Sequence, residues 1–182
     1  MQDEANKILL NTQQTPPQFV HLRCHSEYSI VDGIVRIDDY IDAASKDGMP
    51  ALGLTDLNNL FGAIKFYKAA RSKGIKPIIG CDIWLENTKN RDQAYRLLLL
   101  VQNKIGYRQL CGLLSRAFLE NQYRGRAEVK LEWLQNTEGL LLISGSAQSD
   151  IGTALNSGNS VLATQLAQTW VSLFPNRFYL EV

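Results

Sequence analysis

Short apolar runs that read as strands alternate with stretches of helical periodicity, and this alternation leaves the chain few folds to choose from. Ile37, Tyr40, Ile41 and Ala44 fall at helical spacing, with Asp38 and Asp39 near the helix start and Gly48 as its stop. Ala51 to Leu54 reads as a short strand, followed by the polar turn Thr55 to Asn59. A second helix is expected from about Phe61 to Lys73, stopped by Gly74. Ile75 to Leu85 contains a third strand, and Glu86 to Asp92 a charged, exposed connection. Tyr95 to Val101 is apolar enough to be buried on both faces. A long helix follows, marked by Ile105, Leu110, Leu113, Leu114 and Phe118; a loop at Tyr123 to Lys130 carries Arg124, Gly125 and Arg126. Glu132 to Gln135 reads as a turn of helix and Leu140 to Ser144 as a fifth strand. Helical signals return at Ile151 to Leu155 and Ser160 to Leu173, and Arg177 to Val182 enters a sixth strand. Parallel neighbours need crossovers, so strands alternating with helices argue a parallel α/β sheet. Polar clusters follow several strand ends, at His25 to Asp32, Thr55 to Asn59, Asp82 and Gly145-Ser146. Both α/β barrels and open sheets place chemistry at that end.

The richest of these clusters lies in Val20 to Gly33. Read as a strand, His21, Arg23 and His25 share one face and run into polar residues able to hold metal or phosphate. The sequence has only these two histidines, so no third imidazole can complete a cage. His25 alone also fits a histidine bonded to a backbone carbonyl, and Ser26 a turn cap. No third group suggests a Ser26–His25 nucleophile pair. The Arg124-Gly125-Arg126 stretch reads more readily as a solvated loop than as a phosphate contact, and Trp84, Trp133 and Trp170 as packing residues rather than base-stacking platforms.

A net charge of +1 gives no global field for nucleic acid. Cys24, Cys81 and Cys111 are widely spaced with no C-x-x-C, which argues for reduced thiols rather than a zinc knuckle or disulfide framework. No apolar run is long enough to span a bilayer, and Met1 to Leu10 lacks signal-peptide architecture, so the expected compartment is the cytoplasm. Residues 1–18, polar and ending in Pro16-Pro17, read as a flexible leader; 19–182 read as one domain.

The stretch His21, Leu22, His25, Ser26, Tyr28, Ser29, Asp32, Gly33 resembles the opening motif of the PHP (polymerase and histidinol phosphatase) domain, in the version that begins bacterial replicative DNA polymerase III alpha subunits. Later pieces match in order: Gly48 to Asp56, Phe61-Gly62-Ala63, Gly74 to Cys81, Gly106-Tyr107, Gly139-Leu140, Ser144-Gly145 and Arg177 to Glu181. The resemblance implies a distorted seven-stranded β/α barrel, left incomplete here because the family's domain continues past Val182. It implies a site of three metal ions on His, Asp, Glu and Cys that activates water for phosphoester hydrolysis.

This chain departs from that ligand set. Arg23 stands where the family has the first His of an H-x-H pair, and guanidinium cannot bind a cation. Leu57 replaces the His of Thr-Asp-His, Asp82 a Glu, and Ser146 a common Cys; Arg96 lies where metal-binding members tend to carry His. The retained polar positions are His25, Asp32, Asp56, Asp82 and Glu181. A guanidinium about 4 Å from a divalent ion would cost several kcal/mol even at an effective dielectric of about 20. Arg23 and Arg96 are therefore expected to pair with Asp32, Asp82 or Glu181 as a salt-bridged plug, leaving a vestigial site with no bound metal and no catalysis.

The reading is a structural and partner-docking domain. The implied parent is a DNA-directed DNA polymerase that uses Mg2+, contacts DNA, and works with a proofreading exonuclease subunit and other replicase subunits. The alternative is a metal-dependent phosphoesterase or 3′–5′ exonuclease on a reduced site of His25, Asp32, Asp82 and Glu181. An incomplete barrel would also leave an uncovered edge, through which the chain is expected to self-associate.

Overall fold

The computed structural model describes residues 19–182; the leader expected at 1–18 lies outside them. The elements run α1 (Ile37–Lys46), β1 (Ala51–Leu54), α2 (Ala63–Ser72), β2 (Lys76–Leu85), β3 (Tyr95–Val101), α3 (Lys104–Glu120), β4 (Gln122–Tyr123), β5 (Arg126–Val129), β6 (Leu140–Ser144), α4 (Asp150–Asn156), α5 (Ser160–Leu173) and β7 (Phe178–Tyr179). Local chemistry sets several boundaries. Asn103, Ser149 and Asn159 accept backbone N–H bonds at the starts of α3, α4 and α5, and Gly48 and Gly74 follow α1 and α2 with positive φ.

The seven strands form one sheet, ordered β4-β5-β2-β3-β6-β7 with β1 beside β2. It is mixed, not parallel as expected. β1 and β5 run parallel to β2, and β7 parallel to β6, but β3 is antiparallel to both β2 and β6. Between β2 and β3 lies only a short connection with one 3-10 turn, Arg91–Gln93. That is too little chain for a helical crossover, so the strand must fold straight back. The connection is also less exposed than expected: Asn87 is buried, and its side chain holds the turn through Lys89 N, Asn90 N and Gln93 O. The loop expected at Tyr123 to Lys130 is a β4–β5 hairpin, whose two central residues, Arg124 and Gly125, both take positive φ, as a tight hairpin turn requires. Only Phe178 and Tyr179 of the expected sixth strand pair with β6, although Glu181 N still reaches Ser144 Oγ at 2.9 Å.

The segment before Ser26 follows β1 without forming a regular strand. Gly53 N donates to His21 O at 2.7 Å and Thr55 N to Cys24 O at 2.9 Å. Three residues on one side thus answer two on the other, a bulge-like offset that breaks the alternation of side chains.

Two apolar cores hold the layers. α1 and α2 bury Ile37, Ile41, Phe66 and Ala70 against Leu52 and Leu54 of β1. α3 and α5 bury Leu110, Leu114, Trp170 and Phe174 against Leu97, Leu99 and Leu142. β3 is buried on both faces: Leu98 and Leu100 point away from those helices and line, with Leu141 and Ile143, an open groove of about 550 Å³. Residues 19–23 form one bank of this groove and 179–182 the other. The sheet therefore bends toward closure but stays open among the described residues, as expected of a partial β/α barrel.

Candidate functional site

The polar centre is Asp82, buried in mid β2. Its backbone is fixed on both sides: its N–H donates to Asp56 O at 3.2 Å, and its C=O accepts from Asn58 N at 2.7 Å. Three cationic side chains converge on the carboxylate. Arg96 donates through Nε to Oδ1 at 3.0 Å and through Nη2 to Oδ2 at 2.6 Å. Arg23 donates through Nη2 and Nε to Oδ2 at 2.7 and 3.1 Å. His25 Nε2 lies 3.1 Å from Oδ2.

The outer carboxylates complete a ring. Arg23 Nη1 also meets Glu181, which carries the far bank of the groove to the segment before Ser26. Asp32 Oδ1 receives His25 Nδ1 at 2.9 Å and the Ser29 hydroxyl at 2.6 Å, while its Oδ2 lies 3.8 Å from Arg96 Nη2. Both ring nitrogens of His25 thus face carboxylates, which accept and do not donate when ionised, so the arrangement calls for imidazolium. Burial pulls the His25 pKa down, but Asp82 and Asp32 outweigh it and leave it raised. Burial likewise pushes Asp82 up, and His25, Arg96 and Arg23 outweigh that and hold it below the ordinary carboxylate value. Arg23, His25 and Arg96 balance Asp32, Asp82 and Glu181, three charges against three.

Other expected positions stand apart. Asp56 turns to Ser26, accepting its N–H at 2.6 Å and its hydroxyl at 3.0 Å; burial raises its pKa despite those bonds. Leu57 lies beside Asp82 through its backbone, and its N–H donates to Ser29 Oγ at 2.9 Å. Ser146 is exposed with positive φ, and no hydrogen bond joins its hydroxyl to the cluster among the described residues. His21 packs edge-on against Phe19 rather than sharing contacts with Arg23 and His25, in keeping with the bulge between residues 21 and 24. The three cysteines are free, and Cys81 alone is fully buried.

Trp84 and Ser29 support the cluster in roles that the sequence reading did not give them. Trp84 lies opposite Arg96 in the β2–β3 register, and the guanidinium sits 4.6 Å from its ring centroid. Arg126 lies 5.4 Å from the same ring. Ser29 ties Asp32 to the Leu57 backbone. The antiparallel pairing, once known, gives the first; the second has no sequence signal beyond its place in the motif.

The donor set does not fit a metal cluster. Both Asp82 oxygens are occupied by cationic donors, and both His25 nitrogens by carboxylates. Among the described residues no group of three or more His, Cys, Asp or Glu is arranged to hold a metal ion. No helix among them is long and apolar enough to cross a membrane.

The family model of the PHP domain matches residues 21–182. Curated relatives include the DNA polymerase III subunit alpha of Pseudomonas fluorescens, 46% identical over 168 residues, covering 92% of this chain and 14% of the relative. The subunit of the same name from Neisseria meningitidis serogroup A is 42% identical over 171 residues, with 92% and 15% covered. That of Escherichia coli K12 is 38% identical over 167 residues, with 91% and 14% covered. The chain thus spans about one seventh of the length of these relatives.

Proposed function

The chain belongs to the PHP domain family, and we propose that it serves as the PHP domain at the start of a replicative DNA polymerase III alpha subunit, in a form that acts as scaffold rather than hydrolase. The relatives' names support the first half of this reading. The single observation that carries the second is Asp82, whose two oxygens are taken by Arg23, Arg96 and His25. A divalent ion entering there would have to displace guanidinium groups that cannot lose their charge, so the site holds cations supplied by the protein in place of metal.

In this reading polymerisation, DNA contact and Mg2+ belong to the whole polymerase in the cytoplasm. The domain's part is to hold a surface for the proofreading exonuclease subunit and other replicase subunits. The groove between residues 19–23 and 179–182 is the surface through which copies of the chain itself would associate; a strictly monomeric particle in concentrated solution scattering would remove that element.

The deciding measurement is elemental analysis of the purified chain after exposure to zinc and manganese and then desalting. No retained metal is expected. Two or three ions per chain would overturn the scaffold reading. They would favour a phosphoesterase or 3′–5′ exonuclease using His25, Asp32, Asp82 and Glu181.

A further inference from the structure

A second polar site lies away from the Asp82 cluster. A cleft of about 220 Å³ opens between the end of β2, the turn at Leu131–Leu134 and α5. Leu85, Leu131, Leu162 and Leu166 wall it, and the buried pair Asp150 and Trp170 also lines it. Asp150 is only 7% exposed. Its Oδ2 accepts from Trp170 Nε1 at 2.9 Å and its Oδ1 from Ile151 N at 2.8 Å. Both donors are neutral, and among the described residues no Lys, Arg or His forms an ion pair with this carboxylate.

A buried carboxylate with neutral partners is half satisfied. It has about four acceptor positions, of which two are filled. Its charge is felt nearby: burial first, and then Asp150, push the Tyr95 hydroxyl up. Burial raises the Asp150 carboxyl itself despite its two hydrogen bonds. On the rim Glu86 is already paired with Arg91 at 3.6 Å, and Glu132 faces a single Lys89, so with Asp150 the cleft still presents net negative charge to whatever enters.

Size and shape narrow the occupant. Ligand pockets usually exceed about 300 Å³, so this cleft suits one side chain rather than a nucleotide. Apolar walls leading to a buried carboxylate match an aliphatic stem that ends in a cation. A planar guanidinium can bond both oxygens of a carboxylate at once, which an ammonium cannot match in geometry. We propose that the cleft between β2 and α5 is a docking pocket for one arginine side chain of a partner protein, with Asp150 receiving the guanidinium. This site shares no residue with the Asp82 cluster and stands whether or not that cluster binds metal.

The test uses the 182-residue chain and N-acetyl-arginine amide, with N-acetyl-citrulline amide as the uncharged isostere. The reporter is the Trp170 indole N–H resonance, whose hydrogen bond ends on Asp150. A saturable shift with the arginine probe is expected, at least about tenfold weaker with citrulline, because a charge-assisted hydrogen bond is lost. Asp150→Asn removes the charge and leaves one acceptor oxygen, enough for Trp170 Nε1–H or Ile151 N–H but not both, and should abolish the preference for arginine. Should that variant fail to fold, Leu162→Phe narrows the cleft without touching the carboxylate and should weaken both probes. Equal shifts from both probes, a shift reproduced by sodium chloride at equal ionic strength, or full arginine binding in Asp150→Asn would each overturn the proposal.

Discussion

Replacing Asp82 by Asn tests the charge cluster most directly. The substitution nearly preserves shape but removes the charge on which Arg23, His25 and Arg96 converge. The three cations are not equally stranded. Arg23 keeps Glu181 and His25 keeps Asp32, whereas Arg96 is left with Asp32 at 3.8 Å. The Arg96 and Asp82 side chains are 9% and 1% exposed, so water cannot take over. Removing one partner of such a buried pair costs about 3–5 kcal/mol. At about 2–4 °C per kcal/mol for a chain of this size, the melting temperature should fall by about 10 °C. Arg23→Met should cost much less, about 1 kcal/mol or below, because the Arg23 side chain is 26% exposed and its pairs are partly screened. Thermal unfolding followed by circular dichroism at neutral pH measures both. An Asp82→Asn chain as stable as the parent would refute the reasoning, since three cations would then need no buried counter-charge.

The same cluster fixes a pH dependence. The raised pKa of His25 contributes stability that is full below its ordinary value of 6.5 and is lost as pH rises through the folded value. The lowered pKa of Asp82 contributes stability that is full above its ordinary value of 3.8 and is lost as pH falls through the folded value. From these two groups the maximum lies between about pH 4 and 6.5, and a urea-unfolding series across pH should show it flatten in Asp82→Asn. Restoring imidazoles through Arg23→His, Leu57→His and Arg96→His should give a chain that retains zinc on desalting; elemental analysis showing none would mean that these three departures are not what excludes metal.

Much of the fold was legible because it rests on local signals. The periodicities of α1, α3 and α5 and the apolar run of β3 depend on burial along one element, which composition records directly. Strand direction was not legible from alternation alone. The short stretch between Leu85 and Tyr95 held the clue, since it leaves no room for a helix, but its polar residues read as an open loop. Asn87 could not be seen as buried because its partners Lys89, Asn90 and Gln93 are set by the turn itself. The β4–β5 hairpin hid behind two charges: Arg124-Gly125 carries the turn, but Arg124 and Arg126 read as a solvated pair. In the candidate site, the charges of Arg23 and Arg96 beside carboxylates of opposite sign made ion pairing legible. The displacement of His21 was not, because one extra residue between His21 and Cys24 alters side-chain phase without leaving a compositional mark. Trp84 belongs to a third kind, a residue whose role exists only in its cross-strand register with Arg96.

The ion pair between Arg23 and Glu181 joins positions 158 residues apart. β2 and β3, in contrast, are linked by a short turn, and closing a short loop costs little entropy compared with bringing distant segments together. The central hairpin can therefore form early in folding, while the link across the groove waits until nearly every other element is placed. A contact made after the transition state slows unfolding and leaves the folding rate almost untouched. The Arg23–Glu181 link, worth about 1 kcal/mol or below, should therefore show in the unfolding rate alone, faster by about fivefold at most in Arg23→Met, with the folding rate almost unchanged.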